Sequence, residues 1–269
     1  MEKVELKTFE EFESKATVLL ADREKKREEK RGYFSPVLFR GQARASWDLK
    51  TTLERYSARP YSPEGYYEVM RSVRPAFQSC TGTHWEFSDK YSHDDDGPPD
   101  APQGYEFMVY LRHHGFPSPL LDWTRSFYIA TFFAFQSLGA NNPAEPDVAI
   151  YALREYCGHG KRWWEEEATI FGLGPYVETD KRHFLQQCEY TVCRKKIDAG
   201  LRYCSHEEAI RKNDGGQNVL TKFVIPKAER AKVLDKLRMM NITAYSLFGD
   251  EESLLETLAY EEIEMRELH

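Results

Sequence analysis

The sequence has no apolar run long enough to cross a bilayer. Its longest, Phe127 to Phe135, is about half of the ~20 residues required and reads as a buried core helix. A basic excess is also missing. The 37 lysines and arginines are outnumbered by 44 aspartates and glutamates, a formal net charge of −7, so nucleic-acid binding is not expected. The densest basic stretch, Arg23 to Arg31, is interleaved with glutamates and reads as a solvated helix face. No CxxC pair occurs. The five cysteines, at positions 80, 157, 188, 193 and 204, are an odd set without zinc-ligand spacing, which predicts reduced thiols and no metal site. The opening residues, Met1-Glu2-Lys3-Val4-Glu5, carry no apolar stretch. A secretory leader is therefore not expected, and a cytoplasmic location is. Neither HExxH nor GxSxG is found, which disfavours metallohydrolase and serine-hydrolase chemistry.

What is present suffices for a real core. With 269 residues, 41% hydrophobic and 14% aromatic, the chain is expected to form one domain over residues 1–269. Thr8-Phe9-Glu10-Glu11 resembles a capping box and predicts a helix running toward Lys30. Pro36 to Gly41 reads as a short strand, Pro63 to about Phe77 as a helix, and Tyr105 to His113 as another. Residues 88–104 form an acidic surface loop around Asp94-Asp95-Asp96. Strands are predicted at Val148 to Leu153, Gln187 to Cys193 and Val219 to Ile225. A helix follows from Pro226 to about Met240, and an amphipathic helix from Glu251 to Glu267 carries Leu254, Leu255, Leu258 and Ile263 on its apolar side. The segment between Leu153 and Pro175 reads as irregular. Helices and strands mix without a βαβ rhythm. The fold class is therefore α+β, a mixed or antiparallel sheet with flanking helices.

Four stretches stand out. Of these, His183 to Val192 is a strand with Gln187, Glu189 and Thr191 on one face and Cys188, Tyr190 and Val192 on the other, and reads as any half-exposed strand would. Asn218 to Pro226 reads as scaffold, and the other two carry candidate chemistry. In the first, strand alternation puts Val37 and Phe39 on one face and Leu38 and Arg40 on the other. A guanidinium there needs a partner. Asp122 in a structural ion pair and a phosphate or carboxylate ligand are equal candidates. Gly41 lets a ligand approach the backbone, and Gln42 follows it. The second stretch is the loop Arg112-His113-His114-Gly115-Phe116-Pro117-Ser118-Pro119-Leu120-Leu121-Asp122-Trp123-Thr124-Arg125-Ser126, set between two apolar helices. Thr124 or Ser126 caps the helix that follows, whose start could face an anionic ligand. His113 and His114 are acid–base candidates.

Phe39-Arg40-Gly41-Gln42, Trp47-Asp48-Leu49, the block from His113 to Ala134, and Gln186-Gln187 with Tyr190-Thr191 resemble the FRG domain, named for its Phe-Arg-Gly motif. The sequence departs from the family pattern at His114, Pro119 and Cys188. A more distant similarity is to ADP-ribosyltransferases, which carry in order an arginine on a first strand, a Ser/Thr motif before an apolar helix, and a glutamate on a later strand. That similarity implies a split sheet and NAD as substrate. Arg40 would hold its pyrophosphate or ribose, and Thr124 or Ser126 would orient the nicotinamide ribose. Glu189 would stabilise an oxocarbenium-like transition state, Gln187 would position the acceptor, and Tyr128 would stack. The resemblance implies an ADP-ribosyltransferase or NAD glycohydrolase of the toxin or antiphage type, acting on a protein or other macromolecular acceptor. The competing expectation is a non-catalytic domain that binds a nucleotide-like or phosphorylated ligand through Arg40.

Overall fold

The computed structural model describes residues 1–29, 32–92, 101–136, 147–158, 166–198, 200–211 and 217–267. The elements in chain order begin with β1 (Glu2–Glu5), α1 (Phe9–Glu28), β2 (Val37–Gln42), α2 (Thr52–Tyr56), α3 (Pro63–Thr81) and α4 (Tyr105–His113). Next come β3 (Leu121–Thr124), α5 (Phe127–Phe135), β4 (Val148–Tyr156), β5 (Thr169–Gly174), α6 (Lys181–Leu185) and β6 (Cys188–Ile197). There follow β7 (Gly200–Tyr203), α7 (His206–Arg211), β8 (Gln217–Ile225), α8 (Arg230–Met239), α9 (Ala244–Phe248) and α10 (Glu251–Ala259), with short helical turns at Lys227–Glu229, Tyr260–Glu264 and Met265–Glu267. The strands form one eight-stranded sheet in the order β1-β8-β4-β2-β3-β6-β5, with β7 beside β6. Only β1 and β8 run parallel; the other neighbours are antiparallel. The α+β class expected from the sequence is observed.

Alternation sorts the core. Val37 and Phe39 of β2 lie with Ile150, Ala152 and Phe223 on a face covered by Phe12 of α1, Phe127 and Ala130 of α5, and Val233 of α8. Farther along the sheet, Tyr190 and Val192 of β6 pack against Tyr66, Met70, Phe107 and Leu111 of α3 and α4. The opposite face carries Leu38, Leu121, Trp123, Tyr151, Leu153, Ile170 and Cys193 in one cluster. The sheet therefore curls, and Glu155 of β4 reaches β5 to accept the Gly172 N–H at 3.0 Å.

The join between β2 and β3 governs the site. β2 pairs with β4 over six residues, but with β3 only where Phe39 faces Thr124. The sheet nearly parts there. The apolar helix α5 begins at Ser126, whose hydroxyl accepts the Ile129 N–H, and packs on β2 at Gly41. A Cβ at Gly41 would lie 1.9 Å from the Ala130 carbonyl oxygen and 2.7 Å from the Ala134 nitrogen. The space on the Cβ side of this glycine is thus filled by helix backbone.

Several expectations shift. Thr8 caps α1 by accepting from Glu11 N, while the Glu11 carboxylate reaches the Lys7 N–H instead of closing a capping box. The 154–175 region is not wholly irregular: it holds the end of β4 and all of β5. The expected apolar side of the last helix is exposed at Leu254, Leu255, Leu258 and Ile263. It is Ser253 that is buried, where α10 meets the rest of the protein. The Asp94-Asp95-Asp96 cluster lies outside the described residues. No helix among the described residues is long and apolar enough to cross a membrane.

Replacing Gly41 by alanine forces α5 off the sheet. It is expected to cost at least about 3 kcal/mol by overpacking, read as a lowered urea midpoint. Ala43→Ser, in the same segment, serves as the comparison.

Candidate functional site

Where β2 and β3 separate, a cleft of about 200 Å³ opens. Arg40, Gly41 and Gln42 line it from β2, Asp122, Trp123 and Thr124 from β3, Arg55 from α2, Phe133 from α5, and Trp47, Gln186 and Cys188 at its margins. Arg40 Nη1 donates to the Asp122 main-chain oxygen at 2.7 Å and to its Oδ1 at 2.9 Å. Arg112 Nη2 donates to the same Oδ1 at 2.6 Å. The ion pair weighed from the sequence is therefore present, with a second arginine added.

The charges at the cleft do not cancel. Burial opposes ionisation of Asp122, yet Arg112 and Arg40 outweigh it and hold the carboxyl far below the usual range. Arg55, whose guanidinium donates to the Lys50 carbonyl, has its pKa lowered by burial and then by repulsion from Arg40 and Arg112. Three guanidiniums thus surround one carboxylate. Two buried polar atoms of the lining, Arg40 Nε and Gln42 Oε1, have no hydrogen-bond partner. A carboxylate that binds two guanidiniums cannot neutralise a third, so the cleft favours an added anion. Trp47, 45% exposed, offers a ring face with Arg44 5.7 Å from its centroid.

Thr124 lies in this cleft and is buried; its Oγ1 accepts the Ser126 N–H at 3.1 Å. Ser126 is the helix cap, which resolves the choice between the two. Tyr128 is not at the cleft: its hydroxyl meets Glu13 Oε1 of α1 at 3.0 Å and its ring lies against Phe127. The exposed aromatic ring of the cleft lining is Trp47. His114 stacks on Tyr110 with centroids 4.3 Å apart, away from Arg40.

His113 belongs to a buried relay. His183 Nε2 faces the Pro175 carbonyl at 3.0 Å, an acceptor, so that nitrogen carries the proton. His183 Nδ1 therefore accepts from the Tyr190 hydroxyl, 3.0 Å away, and Tyr190 in turn accepts from His113 Nε2 at 2.9 Å. His113 Nδ1 is left as a buried acceptor without a partner. Burial lowers the His113 pKa to about 4, so the ring is neutral near pH 7. Its neighbour Cys188 is buried and its thiol is pushed up to about 12, which rules it out as a nucleophile at neutral pH.

Glu189 and Gln187 do not line the cleft. Thr124 faces Cys188 and Trp123 faces Glu189 across β3 and β6. Since β2 and β6 both run antiparallel to β3, the row Phe39–Thr124–Cys188 is followed by a row with Arg40, Trp123 and Glu189. The Arg40 and Glu189 backbones are thus two strand spacings apart, about 10 Å. Their side chains part company. Arg40 turns through the gap to Asp122, whereas the Glu189 carboxylate is gripped by the Arg125 guanidinium, with the buried Trp123 between. Glu189 is 5% exposed, and burial raises its pKa against the pull of Arg125. Gln187 is exposed at the strand start with a left-handed backbone, φ 49°.

Sequence reasoning assigned no role to Arg55 or Arg125. The one available signal for Arg55 was Thr51-x-x-Glu54, a complete capping box in the structure, which fixes the short helix that aims Arg55. Residues 35–142 match a family model. It is that of the FRG domain. The match supports the FRG family for this chain, and the FRG segment contains every cleft residue except Gln186 and Cys188. No curated protein and no solved structure matches the chain.

The His113 titration is measurable. The unfolded chain takes up a proton on this ring near pH 6.5 and the folded chain only near 4. Its contribution to stability is therefore complete above pH 6.5 and falls as pH drops toward 4. The loss is on the order of 3 kcal/mol. Urea unfolding of wild type and His113→Gln across that window is expected to give the steeper pH slope for the wild type.

Proposed function

We propose that the cleft between β2 and β3 of the FRG segment binds a small anionic ligand of the nucleotide class, with NAD the leading candidate. The charge count carries this reading: Arg40, Arg55 and Arg112 stand around Asp122, with Glu54 the other carboxylate acting on Arg55, so a net positive charge remains for a ligand. A pyrophosphate suits that balance, and planar guanidinium forks suit phosphate oxygens. The exposed Trp47 ring supplies a stacking face for a base. Asp122 sets the direction of the Arg40 and Arg112 guanidiniums, and Thr124 borders the same space.

A second reading goes further, to NAD cleavage by an ADP-ribosyltransferase or glycohydrolase acting on a protein or other macromolecular acceptor. What favours it is that Arg40, Thr124 and Glu189 stand on three consecutive strands, with Arg40 and Glu189 in one row. A fixed carboxylate can stabilise a ribosyl cation as nicotinamide leaves. In this reading Arg125, exposed on the outer side of Glu189, must release the carboxylate when the ligand enters. Gln187, exposed two residues before it, meets the acceptor.

Calorimetric titration with NAD, ADP-ribose and adenosine separates these possibilities. Binding of the two phosphorylated ligands but not adenosine is expected, weakening with salt. Arg55→Ala should lower the affinity about tenfold or more, the loss of one charge-assisted contact. It is the cleaner variant, because Arg40→Ala also strips a partner from Asp122. Equal affinity for adenosine, or an unchanged Arg55→Ala, would overturn the anion reading. Nicotinamide release that disappears in Glu189→Gln while ADP-ribose still binds would support cleavage; binding without release in wild type leaves a binding domain.

A further inference from the structure

Away from the cleft, two thiols meet across the other end of β6. Cys193 Sγ and Cys204 Sγ are 3.4 Å apart. The register of β6 and β7, with Arg194 facing Tyr203, brings Cys193 opposite Cys204, and the Cys204 N–H donates to the Cys193 carbonyl at 3.0 Å. Directly opposed residues of antiparallel strands have Cα atoms about 4.5–5.5 Å apart, inside the range a disulfide spans. The two sulfurs differ in access. Cys193 is 1% exposed, whereas Cys204 is half-buried and lines a surface cavity of about 310 Å³ together with Lys195, Tyr203 and Ser205. The Lys195 ammonium, held by Glu208 at 2.8 and 2.9 Å, lies in the same cavity wall.

We infer that Cys193 and Cys204 form a reversible dithiol–disulfide site that low-molecular-weight hydroperoxides oxidise, with Cys204 as the attacking and Cys193 as the resolving thiol. The cavity admits the oxidant to Cys204. Its thiolate attacks the terminal peroxide oxygen, the O–O bond breaks, and the leaving oxygen departs as water or alcohol after protonation. Cys204 is then a sulfenic acid. The Cys193 sulfur attacks the Cys204 sulfur, forming the S–S bond and expelling water. Two thiols have lost two electrons and two protons, and the peroxide has gained them. The bond ties the short strand β7 to β6 without moving either backbone. It thereby fixes Tyr203, whose N–H holds the Tyr61 carbonyl at 2.9 Å and whose ring meets Tyr66 edge-on.

The site is tested on the full chain with hydrogen peroxide, followed by alkylation of remaining thiols and peptide mapping. A peptide pair linked through Cys193 and Cys204, restored to two thiols by dithiothreitol, is the expected product. It should form at doses that leave the separate Cys157 alkylatable, and should be absent from Cys204→Ser. The proposal is overturned if Cys193 stays alkylatable while Cys204 is recovered as a free thiol or as a sulfinic acid. Because Cys204 is half-exposed, Cys204→Ser should keep the wild-type far-ultraviolet spectrum. The wild-type map decides the matter even without it.

Discussion

The cleft depends on one carboxylate. Beyond the Phe39–Thr124 pair the β2–β3 ladder stops, and main-chain groups that a continuous sheet would pair need other partners. Arg40 supplies one: the guanidinium that takes the Asp122 side chain also takes the Asp122 carbonyl. An arginine on an otherwise apolar strand thus acts in part as a substitute for missing ladder hydrogen bonds. Asp122 can serve because Arg112, delivered by the end of α4, meets the same oxygen. If the carboxylate were lost, guanidiniums would crowd a partly dry space with no counter-charge, an arrangement costing several kcal/mol.

The opening persists because its walls are held from outside. On one side α5 seats its backbone against Gly41, closer than any side chain would allow, so β2 cannot slide to extend its pairing with β3. On the other side β3 is zipped to β6 over four residues and anchored through the Trp123 indole, which donates to Thr191. The parting is thus a packed arrangement of the core and not a frayed edge. Burial in the same packed region leaves His113 without charge though it is close to Asp122, and the hydrogen bond to Tyr190 fixes its tautomer.

Much of this was legible in the sequence, and the losses have physical causes. Alternation along Val37 to Arg40 gave both faces of β2, and an all-apolar segment after a serine gave α5. Strand β3 escaped because four residues, Leu121 to Thr124, are too few for a period to register. β5 escaped because Gly172 and Gly174 look like breakers, although Gly172 stands within the strand where the Glu155 carboxylate lies against it. Short edge strands β1 and β7 carry no alternation of their own. For the candidate site, spacing along the chain picked out Arg40, Asp122 and Thr124, residues fixed by strand position. It could not find Arg55 or Arg125, since an arginine on a surface helix or loop looks like any solvated charge until its neighbours are known. Tyr128 failed for the converse reason: helix periodicity gives a side chain's direction only once the helix is docked, and the docking turned it toward Glu13.

The row containing Arg40, Trp123 and Glu189 makes binding and cleavage physically separable. A ligand seated on the three guanidiniums occupies the gap and the face on which Asp122 lies; the Glu189 carboxylate is on the other side of a buried indole. A ribose could reach it only by lying along the parted edge of β2, where Leu38 and Arg125 are next in line. The ion pair with Arg125 is then the barrier that matters. A partly exposed arginine contributes little to stability but occupies the Glu189 carboxylate. Arg125 does not line the cleft, so an anion seated beside Arg40 and Arg55 does not by itself uncover Glu189.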